Sequence, residues 1–400
     1  MIRFLIYTLV SVSFFQGTML HGQSQFKLMP VSQVETSQNT VTCTVYEIEN
    51  VNYLYSGGTS NKIDVFKISG DGEMQSVASY DADGNKGGIR GLVADQIEGN
   101  HFLFAGLKGA NAIEVFKINS DGTLNSVFVM PDTDSTYLER VITLQVVHMK
   151  SASYLFAGGL ETKPGLSAYK ITAEGKLEHI QSMADNEHLY MDGIIGMSVH
   201  KIDGKTFLFA GGFHDNGLGS FRVYEDGHFV NINNIGDDYN LYLNGTYPVI
   251  SASKGGWNFV VVGHRHHSYY EPGTWIKDSK SYYYHGDAVS VFIVDELGQL
   301  KPRSAFKGNS ETMIEGQTRL HKLPLDDKYD VIAAATRDNK SIQLCLLNNK
   351  GRLIDAGKID TGFEIYYGLA GQKIGEKLFL FAGDVNGSKM VAYRLDPVKE

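Results

Sequence analysis

An apolar run of the LFAGG kind, an alternating run of the VFKI kind, a Gly-centred turn and another short strand recur in that order along the chain, and few folds accept such a repeat. Clear copies are Tyr53 to Val77 (YLYSGG, IDVFKI, GDGEMQSV), Phe102 to Val127 (FLFAGL, IEVFKI, DGTLNSV), Tyr154 to Ile180 (YLFAGG, LSAYKI, EGKLEHI) and Phe207 to Ile232 (FLFAGG, GSFRVY, DGHFVNI). Two weaker copies begin at Phe259 (FVVVGH) and Val331 (VIAAAT), and a seventh at Phe379 (FLFAGD, VAYRL) lacks its final strand. The turn glycines Gly72, Gly122, Gly175, Gly227, Gly298 and Gly351 are 50, 53, 52, 71 and 53 residues apart, a period of the size of a four-stranded propeller blade. The strands read as alternating apolar and polar, with Asp-Gly, Glu-Gly or Lys-Gly where a tight hairpin needs a residue at positive φ.

Each unit therefore reads as an inner strand A, then B (LFAGG), C (VFKI) and D. The A strands are expected at Val41 to Glu47, Ile89 to Asp95, Val141 to His148, Ile194 to His200, Val249 to Ser253, Arg319 to Leu323 and Leu369 to Ile374. The seventh unit has no D strand of its own. Phe26 to Ser32 (FKLMPVS) resembles MQSVASY and LEHIQSM of other D strands, so an N-terminal strand is expected to complete the last blade and leave the ring without a free sheet edge. The expectation is an all-β, seven-bladed β-propeller of four-stranded blades.

One ring of this size uses residues 23–400 as a single domain. Residues 1–22 carry Arg3, an apolar run from Phe4 to Phe15 and then small and polar residues, the plan of a secretory signal peptide. The run is too short to span a bilayer, and no cysteine stands near it for a lipid anchor, so a secreted or periplasmic protein is expected. Cys43 and Cys345 fall on strand A of blade 1 and strand C of blade 6, too far apart in the ring to pair. With 45 acidic against 36 basic residues and no basic run, nucleic acid is excluded as the natural partner. A Gly-rich phosphate loop, a GxSxG elbow and a CxxC pair are all missing from the sequence, which disfavours dinucleotide and serine-nucleophile enzymes.

The one long interval places its extra residues between strands B and C of blade 5, in 264–287 (HRHHSYYEPGTWIKDSKSYYYHGD). These 24 residues hold four histidines, five tyrosines, Trp275 and Arg265. Aromatic faces interleaved with phenolic hydroxyls suit sugar rings, which stack on one and hydrogen-bond to the other. A loop that covers the blade with its own aromatics is the structural alternative. His264, His266, His267 and His285 could also supply imidazoles to a divalent metal, although the sequence requires no cofactor and contains no fixed ligand motif.

Aligning the blades adds a second set of residues. The position just after the small residues of strand B is Phe213 in blade 4, Arg265 in blade 5 and Arg337 in blade 6, and the next is His214 and His266 in blades 4 and 5. The starts of the inner strands bring Arg90, Arg140, Tyr247, Arg319, His321, Glu364 and Tyr366 to the same channel mouth. A ring of Arg, His and Tyr is what recognition of a carboxylate or sulfate on a sugar requires, Arg binding the anion and His or Tyr moving a proton. The catalytic candidates are His264, Arg265, His266, Arg337, Tyr247 and Glu364. The ligand-binding candidates are Arg90, Arg140, His214, Tyr269, Tyr270, Trp275, Arg319, His321 and Tyr366. His148 and His200, at the far ends of their strands, read as structural.

The phrases YLFAGG, GLSAYKITAEGKLEHIQSMAD (Tyr154 to Asp185) and FLFAGG, GLGSFRVYEDGHFVNINNIGDD (Phe207 to Asp238) resemble the seven-bladed propeller lactonase family, similar to the 6-phosphogluconolactonase type. The resemblance implies the propeller and the hydrolysis or formation of sugar-type lactones; it carries no catalytic residue to a position here, because the blade repeat specifies strands and not reactions. Three functions stay open. One is a carbohydrate-acting lactonase in which Arg265 and Arg337 hold the lactone and a His or Glu364 activates water. Another is a lyase on uronic-acid glycans, and the third is a non-catalytic glycan- or protein-binding propeller.

Overall fold

The computed structural model describes residues 25–82, 87–160, 163–237, 241–265, 288–309, 312 and 314–398. The expected export segment, residues 1–22, lies outside them. The 28 strands among the described residues form seven antiparallel four-stranded sheets. Blade 1 is Thr40–Ile48, Val51–Gly58, Lys62–Ile68 and Met74–Asp81, paired in that order, and blades 2 to 6 repeat it. Blade 7 holds Leu369–Ile374, Lys377–Gly383 and Lys389–Pro397, and its fourth strand is Phe26–Glu35 from the other end of the chain. That strand runs antiparallel to Lys389–Pro397, from Phe26 opposite Pro397 to Glu35 opposite Lys389, with a bulge between Pro30 and Ser32. The ring closes through this pairing.

The expected alternation of apolar and polar residues holds only for the outer strands. Strand D of blade 1 is mostly exposed or half-buried, whereas strand B of blade 2 is buried from Phe102 to Leu107. Each blade is sandwiched between two neighbours, so its middle strands bury both faces and read as continuous apolar runs, as strands covered on both sides do. The cores accordingly lie between blades: Leu54 and Phe66 of blade 1 pack with Phe379 and Phe381 of blade 7.

A second feature of the repeat explains its aromatic and its glycine together. An aromatic near the start of strand B in one blade lies against the C–D turn glycine of the next: Tyr53 with Gly122, Phe102 with Gly175, Tyr154 with Gly227, Phe207 with Gly298, Phe259 with Gly351, and, across the closure, Phe379 with Gly72. Gly175 has φ +84° and a Cβ there would fall 2.6 Å from the Phe102 ring. The glycine serves both the left-handed turn and the close approach of the ring. Cys43 and Cys345 are free and buried in separate places, as expected.

Candidate functional site

Seven equivalent backbone hydrogen bonds build the rim of the channel mouth. The residue that follows strand B donates its N–H to a carbonyl just ahead of strand A in every blade: Thr59 to Asn39, Lys108 to Gly88, Leu160 to Glu139, Phe213 to Gly193, Arg265 to Gly245, Arg337 to Gly316 and Val385 to Glu364. Each bond ties the B–C loop to the D–A loop of its blade. The partners on the inner strands are Val41, Arg90, Ile195, Tyr247 and Thr318, which sit in the bulges at the strand starts, with Ile142 and Tyr367 in the matching places of blades 3 and 7. Val41, Ile142, Ile195, Phe213, Tyr247 and Tyr367 form one apolar cluster that floors the mouth.

On this floor is a cavity of about 120 Å³ lined by Arg90, Lys108, Ile142, Leu160, Ile195, Phe213, Tyr247, Arg265, Tyr366 and Tyr367. Among these described residues the lining contains three cationic side chains and three phenols, and no carboxylate or imidazole. Tyr366 is the hub. The guanidinium carbons of Arg337, Arg265 and Arg90 lie 5.4, 5.6 and 5.9 Å from its ring centre, and Arg265 Nη1 donates to Tyr366 Oη at 3.2 Å. Tyr247 and Tyr367 stack with planes 5° apart, and their hydroxyls share a hydrogen bond of 2.6 Å. Tyr366 stands edge-on to Tyr367 at 4.4 Å between centres.

The surroundings separate the three phenols. Burial pushes Tyr247 and Tyr367 well above the ordinary phenol range. Burial acts on Tyr366 in the same sense, but the Arg265 charge, the hydroxyls of Tyr247 and Tyr367, and Arg337 outweigh it and hold the phenol below its ordinary value. Opposite charge and hydrogen bonds to the ionised form have this effect. Lys108 is pushed down by burial and by the nearby charges of Arg90 and Arg140. The cavity thus has an excess of positive charge, the condition for holding an anion.

The candidates from the sequence divide into three groups. Tyr247, Arg265, Arg90 and Tyr366 meet at the cavity. Arg337 lies over the Tyr366 ring without lining the cavity and is anchored by Glu364, whose Oε2 lies 2.9 Å from Arg337 Nε; burial opposes ionisation of Glu364, but Arg337 holds its carboxyl below the usual range. Arg140 is absent from the lining, and its charge acts on Lys108.

The second group is buried away from the lining. His214 is 6% exposed and paired with Asp192 at 2.9 Å. His264 is fully buried beneath Tyr242, with rings 6.2 Å apart, and burial lowers its pKa to about 3. Adjacent residues of an extended segment point to opposite sides, so Arg265 turning to the cavity sends His264 away. Arg319 and His321 lie deeper along the inner strand of blade 6. His266, His267, Tyr269, Tyr270, Trp275 and His285 form the third group and fall outside the described residues. Among the described residues, no set of three His, Cys, Asp or Glu side chains is placed to hold a metal ion.

Sequence reasoning missed Tyr367, Lys108 and Leu160. Lys108 and Leu160 occupy in blades 2 and 3 the position that Arg265 and Arg337 occupy in blades 5 and 6, so the same alignment carried one step further would have found them. Tyr367 is the blade 7 counterpart of Tyr247.

No family model matches the chain, and no curated protein sequence matches it significantly. Solved structures do share its shape. A functionally unknown protein from Desulfotomaculum acetoxidans DSM 771 is 11% identical with a TM-score of 0.58, covering 84% of this chain and 90% of its own. A protein from Lactobacillus plantarum is 14% identical with a TM-score of 0.59, covering 83% and 87%. Raptor from Chaetomium thermophilum is 11% identical with a TM-score of 0.62; 94% of this chain superposes on 29% of that longer one. At such identities the likeness is one of fold. Among the described residues no helix is long and apolar enough to cross a membrane.

Proposed function

We propose that the channel mouth is the active site of an exported lactonase-like hydrolase acting on a small acidic, sugar-derived substrate. The observation that carries this reading is Tyr366, a phenol made easier to ionise by Arg265 and Arg337 on the wall of a small cationic cavity. Arg90 and Lys108 bind the substrate's anionic group, Arg90 making no hydrogen bond or ion pair among the described residues that would compete. Tyr366 as phenolate takes a proton from water as the water oxygen attacks the lactone carbonyl. Arg265 donates to the oxygen on which charge develops, a preorganised contact of the kind that lowers such barriers. The ring C–O bond then breaks, and the proton returns from Tyr366 to the leaving oxygen. Glu364 fixes Arg337 and leaves the base role to Tyr366.

One observation favours elimination as the second reading. The described lining has no carboxylate or imidazole, and a tyrosinate beside arginines is suited to taking a proton next to a neutralised carboxylate, the step that opens a uronic-acid lyase reaction. In that case the glycosidic C–O bond breaks and an unsaturated product forms.

Mass spectrometry of a panel of sugar lactones and uronic-acid polymers after incubation with the purified protein separates the readings. Gain of one water on a lactone is the expected result, and unsaturated fragments replace hydrolysis with elimination. An unchanged panel with measurable binding overturns both in favour of a binding propeller. Tyr366→Phe is expected to lower turnover by about 10²- to 10⁴-fold with little change in KM, and Arg90→Gln to raise KM.

A further inference from the structure

The bulge in the outer strand pair recurs in every blade, and the residue it leaves unpaired is apolar in six of them: Val31, Val77, Val127, Ile180, Ile232 and Ala356. In blade 5 it is Arg303, between Pro302 opposite Phe292 and Ser304 opposite Val291. The last residue of the outer strand departs in the same sense. In the other blades it is Glu35, Asp81, Pro131, Ala184, Gly236 or Asp360, and in blade 5 it is Lys307, opposite Ala288. The fold asks for neither cation, since six blades form without them.

Both line a cavity of about 610 Å³ on strands C and D of blade 5, Ala288–Val294 and Leu300–Lys307. That volume falls in the range of small-molecule sites, roughly 300 to 1,000 Å³. The bed is apolar, with Leu241, Val291, Phe292, Pro302 and Leu353. The charged groups are Arg303, Lys307 and Arg352, all exposed, and the described lining holds no carboxylate. Among the described residues none of the three enters a salt bridge. Arg303 Nε donates to the Lys350 carbonyl at 2.6 Å, which ties the guanidinium to the seam with blade 6 and leaves its terminal nitrogens their donors. Lys307 Nζ lies 4.5 Å from the ring centre of Tyr242, and that ring stacks on the buried His264 with planes 14° apart.

We infer that this cavity is a second binding site, sharing no lining residue with the mouth, for an amphiphilic carboxylate: a hydrocarbon body ended by one carboxylate group. The head meets Arg303, whose planar fork matches a carboxylate, while Lys307 and Arg352 keep the local potential positive. The body lies on the apolar bed, where loss of exposed hydrocarbon supplies most of the affinity. A sugar body fits worse. The two hydroxyls of the lining, Ser290 and Ser304, donate to the Leu241 and Gly351 carbonyls at 2.7 Å each. No amide or carboxylate side chain is among the described lining residues, so sugar hydroxyls would leave water without replacement partners. The inference does not depend on the reaction proposed for the mouth.

The probe is decanoate, titrated below its micelle concentration into the full-length protein by calorimetry. One saturable site is expected, with octanoate roughly tenfold weaker for its two missing methylenes. Replacing both Arg303 and Lys307 by Met is expected to weaken decanoate binding by about tenfold or more, while Arg265→Ala leaves it unchanged. The replaced side chains are exposed, so the variants keep the fold, which their thermal midpoints check. Binding that survives in the Arg303→Met, Lys307→Met double variant and vanishes in Arg265→Ala puts the carboxylate at the mouth and overturns the site. Equal affinity for decanol, full competition by glucuronate, or the absence of saturable binding overturns it as well. Should Arg303→Met prove unstable, Lys307→Met combined with Arg352→Met decides the matter by the same criterion.

Discussion

Arg265 Nη1 donates to Tyr366 Oη at 3.2 Å, joining the loop after strand B of blade 5 to the residue three places before the inner strand of blade 7. The contact couples the ionisation of the phenol to a charge about a hundred residues away in sequence. In an ultraviolet difference titration, one tyrosine is expected to ionise below the ordinary value of about 10. Since Tyr366 is pulled down, its phenolate gains population as pH rises toward that value, and a rate that depends on it rises in the same window. Tyr366→Phe should remove the early transition. Arg265→Met should move it upward, and an unchanged titration in that variant would refute the coupling.

The turn glycines make a graded test of ring assembly. Gly175 has φ +84° and faces Phe102, whereas Gly204 has φ +73° with open space around its missing side chain. Gly204→Ala carries only the backbone strain of a left-handed alanine, about 1 kcal/mol. Gly175→Ala adds the displacement of a buried ring and is expected to cost about 2 to 4 kcal/mol. Denaturant midpoints of the two variants, compared with the parent, check the order.

Removing residues 1–35 deletes the fourth strand of blade 7 and exposes the edge of Lys389–Pro397. Phe26 and Leu28, 6% and 4% exposed in the closed ring, leave a gap against Leu378 and Leu395. The truncated protein is expected to aggregate through the open edge, to be visible by light scattering, and to be rescued by a peptide of residues 25–36 added in trans.

Acid should destabilise the ring before it protonates most carboxylates. His264 and His321 are lowered to about 3 and about 4 by burial, against about 6.5 in an unfolded chain. Between those values the unfolded chain binds protons that the folded ring does not, so stability falls as pH drops through that window. Thermal midpoints measured from pH 7 to pH 4 should decline, and His321→Gln should flatten the decline relative to its own midpoint at pH 7.

The repeat made most of the fold legible. Strand limits agreed within a few residues, the closing strand was found by its likeness to other D strands, and the glycines fell at positive φ. What was misread, the alternation of strands B and C, depends on whether a sheet has neighbours on both faces, and a single blade does not reveal that. The site was half legible. Arg90, Tyr247, Arg265 and Tyr366 were reached because equivalent blade positions face the same axis, whereas His264 was placed with them because its neighbours in sequence were polar and aromatic.

The sequence by itself determined the blade count, the order of strands and the closure at the N-terminal strand, because those follow from local hydrophobic pattern and turn chemistry repeated seven times. Only the tertiary structure decided which rim residues meet and in which direction the ionisation of each is shifted. Residues 90, 108, 265 and 366 come from blades 2, 5 and 7, and their separations are set by the closed ring; the phenol of Tyr366 ionises more easily than that of Tyr367 beside it because burial and charge act through space and not along the chain.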